Sequence, residues 1–167
     1  RGDMNGLRSV HVELPRQEGP RQPAWPADGS VVTVADESAR AADDLVLRAY
    51  ASGGGSVTLC DNWYNGLIAD GEFEPELAVV VLEQVRRPVA FVQCWNSAFI
   101  KDLVVDQSRR REGLGEALLL CVLWLFFQRN QTTISLKVEQ NNPSGAEKLY
   151  RRIGFSEFSV TKLPMKP

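Results

Sequence analysis

Apolar residues along this chain fall into runs whose period changes several times between two and the helical repeat, and each change marks an element boundary. Arg8 to Leu14 alternates like a half-buried strand and stops at Pro15. Pro15 to Asp28 is rich in Pro, Arg, Gln and Gly, carries little apolar surface, and reads as a linker or surface arm. A folded domain is therefore expected over residues 30–167, preceded by a strand and arm over 1–29. Val31 to Ala35 is a short apolar strand. Asp36 offers a helix cap, and Ala41, Leu45, Val46 and Tyr50 share one helical face up to Gly53-Gly54-Gly55. Thr58 and Asp61 resemble a capping box that opens a second helix through Trp63, Leu67 and Ile68, closed by Gly71.

Leu77 to Leu82 is a β-branched run. A polar turn, Arg86-Arg87-Pro88, leads into a strand from Val89 to Trp95, and Asn96-Ser97 turns into another from Ala98 to Val105. Short connections make these three an antiparallel meander. Gly113 to Gln128 is a helix that is apolar on nearly all sides, and Thr132 to Val138 is a strand. Pro143 to Ile153 reads as a helix with proline in its first turn, stopped by Gly154, and Phe155 to Leu163 is extended. The strand–helix–strand unit from Ala98 to Val138 needs a right-handed crossover and a parallel pair. The fold class is mixed α/β: a mostly antiparallel sheet with one parallel pair and helices on both faces.

Composition narrows the functions open to such a fold. The 167 residues suit one domain, and 44% hydrophobic with 24% charged residues is ordinary globular usage. A net charge of −2 argues against a nucleic-acid binder. The odd number of cysteines, Cys60, Cys94 and Cys121, without a Cys-x-x-Cys pair, fits a reduced protein in the cytoplasm better than a disulfide scaffold. A single histidine, His11, excludes a His-rich metal site and leaves a Ser-His or Cys-His mechanism dependent on an atypical N-terminal residue. No metal is expected. The longest apolar run, Ala117 to Phe127, is well short of the ~20 residues that span a bilayer, so no membrane association is expected.

The chemistry is concentrated between Phe99 and Leu119. A strand ends at Val105, a polar turn carries Arg109-Arg110-Arg111, and Gly113-Leu114-Gly115 opens the long helix. A first helical turn has unpaired N–H groups and partial positive charge, and glycines let an anion approach the backbone. Nearby arginines add full charge, so the loop suits a pyrophosphate. The Gly-Lys-Ser/Thr of a Walker loop is absent. The dinucleotide fingerprint fails because Leu118 stands where a small residue is needed. The pattern that remains is Arg-x-x-Gly-x-Gly, at Arg110, Gly113 and Gly115.

With that loop the chain resembles the GNAT superfamily of acetyl-CoA-dependent N-acetyltransferases. Leu103-Val104-Val105 is similar to the family strand that pairs with pantetheine. Arg110-Arg111-Glu112-Gly113-Leu114-Gly115, continued by Glu116, is similar to its pyrophosphate loop. Val138, Asn142, Ala146, Leu149-Tyr150 and Gly154-Phe155 are similar to its second signature, in which the Asn and the helix after it flank the CoA arm and the Tyr approaches the sulfur. Three features depart from the pattern. The Asn142 to Tyr150 spacing is one residue longer than the commonest. The tail after Phe155 holds one strand and a stub where the family has two strands, a wall that Arg8 to Leu14 or a partner chain could complete. The N-terminal arm has no counterpart.

The resemblance implies direct attack of a primary amine, of a small molecule, peptide or protein, on the thioester of acetyl-CoA. A backbone N–H at Val104 or Val105 would face the developing oxyanion if the strands splay there. Tyr150 is the candidate acid for the leaving thiolate. Glu139 and Asp102 are the candidate bases, and the residues do not separate them. Asn142 is equally suited to a plain helix cap. The competing function is a non-catalytic acyl-CoA-binding sensing or interaction module of the same fold. A homodimer is compatible with the short tail.

Overall fold

The computed structural model describes residues 7–14, 18–34, 45, 69–84, 87–139 and 146–161. Its elements are β1 (Leu7–Glu13), β2 (Gly29–Thr33), β3 (Phe73–Glu83), β4 (Pro88–Trp95), β5 (Phe99–Val105), a 3-10 turn (Gln107–Arg109), α1 (Leu114–Gln128), β6 (Thr133–Glu139), α2 (Ala146–Ile153) and β7 (Ser156–Thr161). The helices expected between Asp36 and Ile68 lie outside the described residues, apart from Leu45, and so do Asn142 and the expected helix start at Pro143.

The strands form one seven-stranded sheet in the order β2-β3-β4-β5-β6-β1-β7. All neighbours run antiparallel except β5 and β6, which are parallel, as the crossover through α1 requires. The N-terminal strand is interior to this sheet. It pairs with β6 from Leu7↔Glu139 to Glu13↔Thr133, and along its other edge with β7. Ala98, expected as the first residue of β5, belongs instead to the turn: its φ is 67°, and its N–H donates to Trp95 O at 3.0 Å.

Both faces of the sheet are covered, which is why Leu77 to Leu82 is apolar without alternation. Leu77, Val79 and Val81 face a core built on α1 with Leu114, Leu118, Leu119, Val122 and Phe126. Ala78, Val80 and Leu82 face a second core with Val34, Leu45, Phe91 and Val104. Burying side chains such as Phe91 and Phe126 stabilises the fold by roughly 1.5–3 kcal/mol each. The segment from 18 to 28 also packs on α1. Trp25 joins the first core, and a Cβ at Gly19 would overlap the Trp124 indole. That cover explains why α1 is apolar around most of its circumference. Burial pushes the Cys94 and Cys121 thiols up, so both act as small hydrophobes.

Candidate active site

The site begins where β5 and β6 part. Each strand has seven residues, yet their register holds a single pair, Phe99↔Ser135, beside the bond from Ser135 N to Ala98 O at 3.0 Å. Beyond it the strands diverge toward Val105 and Glu139. β5 remains paired with β4 as far as Ala90↔Val105. The edge of Leu103, Val104 and Val105 that faces β6 is therefore left without a ladder among the described residues, so their backbone groups line a wedge.

The wedge leads into the loop before α1. Gly113 is the N-cap, with φ 84° and ψ 10°, and no side chain caps the helix. The first-turn N–H groups of Leu114, Gly115 and Glu116 thus stay available to an anion. A left-handed residue costs an L side chain about 1–2 kcal/mol, which is the reason for glycine there. Gly115 serves packing. A Cβ on it would meet Leu149 at 3.0 Å and Val105 at 3.7 Å, so its absence lets α1, α2 and β5 converge.

The arginine run divides into two roles. Arg109 is only 14% exposed and sits among three carboxylates: Glu83 at 3.0 Å, Glu112 at 2.8 Å and Asp28 at 3.4 Å. Arg87 bridges Glu83 and Asp106 beside it. Arg87 first, and Arg109 with it, hold the Glu83 carboxyl below the usual carboxylate range. This network fastens the loop to β3. Arg110 and Arg111 are exposed; the Arg110 Nε donates to Val105 O at 3.4 Å, and Arg111 has φ 67°. Glu116, in the first turn of α1, pairs with Arg21 of the N-terminal segment and with Arg152 of α2, both at 3.0 Å, and these bonds lower its pKa.

Tyr150 lies on α2, half-buried, with its ring edge-on to Phe155 at 5.8 Å. Its hydroxyl is pushed up to about 12, chiefly by burial and then by the charge of Asp102. Tyr150 is therefore a protonated donor at neutral pH. The raised value also predicts alkaline behaviour. The native fold keeps this contribution below the ordinary tyrosine pKa and loses it as pH rises from about 10 to about 12, on the order of 2 kcal/mol. Tyr150→Phe should lose less stability over that window, which denaturant midpoints at pH 9 and pH 11 would show.

Asp102 is 6% exposed, and Lys101 Nζ meets it at 2.8 Å. Its orientation comes from a β-bulge. Between Cys94↔Ile100 and Gln93↔Asp102, β5 advances two residues while β4 advances one, leaving Lys101 as the extra residue. Ile100 consequently packs in the first core, while Val104 packs in the second. Asp102, two residues before Val104, shares its face. Without the bulge it would lie under α1. Glu139 is the last residue of β6, and Ala146 is the first of α2. Among the described residues, Asp102 and Tyr150 are the candidate acid–base groups brought within electrostatic reach of each other.

Sequence reasoning missed the bulge and the buried side chain opposite it, Gln93. A lone amide in the apolar run Val89 to Trp95 was the available signal. No group of His, Cys, Asp and Glu suited to a metal occurs among the described residues, and no described helix is long and apolar enough to cross a membrane.

Residues 75–157 match the family model of the acetyltransferase (GNAT) domain. A GCN5-related N-acetyltransferase from Sphaerobacter thermophilus superposes with a TM-score of 0.77 at 22% identity, over 93% of this chain and 49% of that one. The ribosomal-protein-S18-alanine N-acetyltransferase from Escherichia coli gives 0.62 at 20% identity, over 78% and 79%. AAC(6')-Iy, solved with a bisubstrate analog of CoA and acetylneamine, gives 0.66 at 11% identity, over 83% and 98%. These superpositions show a shared fold. The chain spans about half the length of three of the matched structures. A comparison with curated protein sequences gives no match.

Proposed function

The chain belongs to the GNAT superfamily, and from that premise we propose that it is an N-acetyltransferase carrying an acetyl group from acetyl-CoA to a primary amine by direct attack. The observation that carries the reading is the divergence of β5 from β6 after Phe99↔Ser135, opening beside an uncapped helix start at Gly113. A ladderless strand edge suits the amides of a pantetheine arm, and the helix start with exposed Arg110 and Arg111 suits a pyrophosphate. The residues present thus fit acetyl-CoA, which supplies an acetyl group activated as a thioester.

The chain's own groups divide the remaining work. Arg110, Arg111 and the N–H groups of Leu114, Gly115 and Glu116 hold the pyrophosphate. Leu103, Val104 and Val105 align the arm, and a backbone N–H of Val104 or Val105 faces the acetyl oxygen as charge develops there. Glu112 acts through Arg109, keeping the loop in shape. Asp102 takes a proton from the incoming ammonium, with Glu139 as the carboxylate at the end of the facing strand. Tyr150 gives its proton to the departing thiolate as the carbon–sulfur bond breaks. Ala146, the first residue of α2, flanks the arm, and Asn142 is assigned beside it on the family resemblance alone.

Calorimetry of acetyl-CoA binding tests the cofactor half of this reading. Gly113→Glu places a carboxylate at the pyrophosphate position and should raise Kd at least ~100-fold, about 2.7 kcal/mol. Gly113→Asn, which tolerates the left-handed conformation and adds no charge, should stay within about tenfold of the native chain. Native binding that is absent, or unchanged in Gly113→Glu with an intact circular dichroism spectrum, would overturn the loop assignment.

A further inference from the structure

Gln93 and Asp102 are the two buried polar or charged side chains among the described residues, and they are direct cross-strand partners. Gln93 alternates with Phe91 and Trp95 on β4, so it faces the second core, as Asp102 does after the bulge. It is 0% exposed, and neither its Nε2 nor its Oε1 has a hydrogen-bond partner among the described residues. A buried amide in that state costs about 1–3 kcal/mol for each group left unmade. A leucine or methionine would pack there at no such cost. On β3 its cross-strand partner is Ala78, and Val80, Phe91 and Val104 make the surroundings apolar. A few polar groups converging within apolar surroundings is the usual composition of a small-molecule site.

We propose that Gln93 recognises the acceptor: the amine seats at Asp102, and a neutral group that both donates and accepts hydrogen bonds, a hydroxyl or a primary carboxamide, seats on the Gln93 amide. The inference rests on the acetyltransferase reading and deepens it by naming the acceptor class. Neighbouring strands lie about 4.8 Å apart, which sets the distance between the two anchoring side chains at their roots. An amine with its polar group two carbons away, or with a carboxamide on the next carbon, spans such a gap. A free carboxylate is disfavoured, because it would face Asp102 across the strand. The bulge in β5 is what brings the two side chains to one face: without it Asp102 would point to the opposite face from Gln93. A site of this kind discriminates strongly, since an acceptor lacking the polar group leaves both atoms of Gln93 buried and unpaired.

The test is steady-state acetyl transfer to ethanolamine against propylamine, and to glycinamide against isobutylamine, by the native chain and by Gln93→Met. Each pair replaces the polar group by an apolar one of similar size, and methionine is close in volume to glutamine. The native chain should favour ethanolamine or glycinamide over its apolar counterpart by at least ~10-fold in kcat/KM, and the preferred pair identifies the group. Gln93→Met should erase that preference by raising KM for the polar acceptor, with the KM for acetyl-CoA unchanged. Gln93→Asn, which keeps the amide, should restore part of it. A native chain that acetylates both members of each pair equally, or a Gln93→Met variant that gains stability and keeps the native preference, overturns the proposal and leaves the acetyltransferase reading standing. Failure to bind acetyl-CoA at all overturns both.

Discussion

Tyr150→Phe should lower kcat about 100-fold at neutral pH and leave the KM for acetyl-CoA within about twofold, if the hydroxyl is the proposed general acid. α2 holds the ring against Phe155, half-buried, and burial with the Asp102 charge pushes its pKa up to about 12. A phenol that reluctant to ionise stays protonated in the resting site. In the proposed reaction it gives that proton when a thiolate develops beside it. Phenylalanine keeps the ring and its packing, so the binding of acetyl-CoA and the circular dichroism spectrum should not change. A leaving group that needs less protonation is the discriminating control. With an acyl thioester of lower thiol pKa the variant should recover most of the lost rate. An equal defect on both thioesters would instead assign Tyr150 to positioning the arm.

Val10→Pro should destabilise the fold by on the order of 3 kcal/mol or more, a large part of the ~5–15 kcal/mol that holds an ordinary domain. Val10 is 8% exposed, packs in the first core, and stands mid-strand, opposite Leu136 of β6 on one side and Glu157 of β7 on the other. Proline removes its N–H and is tolerated in sheets at edges and bulges. β1 has a register irregularity between Ser9 and Val10 toward β7 and an unbroken register toward β6. Glu13→Pro, at the end of the strand, should cost much less. If both variants unfolded in denaturant at the native midpoint, β1 would be a detached arm rather than an interior strand. Measurement of both midpoints therefore tests the placement directly.

Much of the fold was legible because period and punctuation are local. The runs at Leu77 to Leu82, Val89 to Trp95 and Thr132 to Val138 became β3, β4 and β6 with small changes of boundary, and Gly113 and Gly154 do end and begin elements. The parallel pair followed from chain length alone, since a strand, a crossover helix and a strand cannot close otherwise. The helix start was legible too, since Gly113 follows the arginine run at the point where the helix begins.

Sequence by itself thus determined the order of the elements from β3 to β7, the mixed sheet, the GNAT resemblance and the helix start at Gly113, all set by interactions among near neighbours in the chain. Only the tertiary structure decided that Arg109 is held by Glu83, Asp28 and Glu112 while Arg110 and Arg111 are exposed, because its partners lie as far away as β3 and the N-terminal segment. It also decided that β1 sits between β6 and β7, and that a bulge at Lys101 turns Asp102 toward Gln93. Strand neighbours and register are chosen by pairing between residues distant in sequence, and a one-residue shift sends a side chain to the opposite face without altering the local pattern that a sequence reader can see.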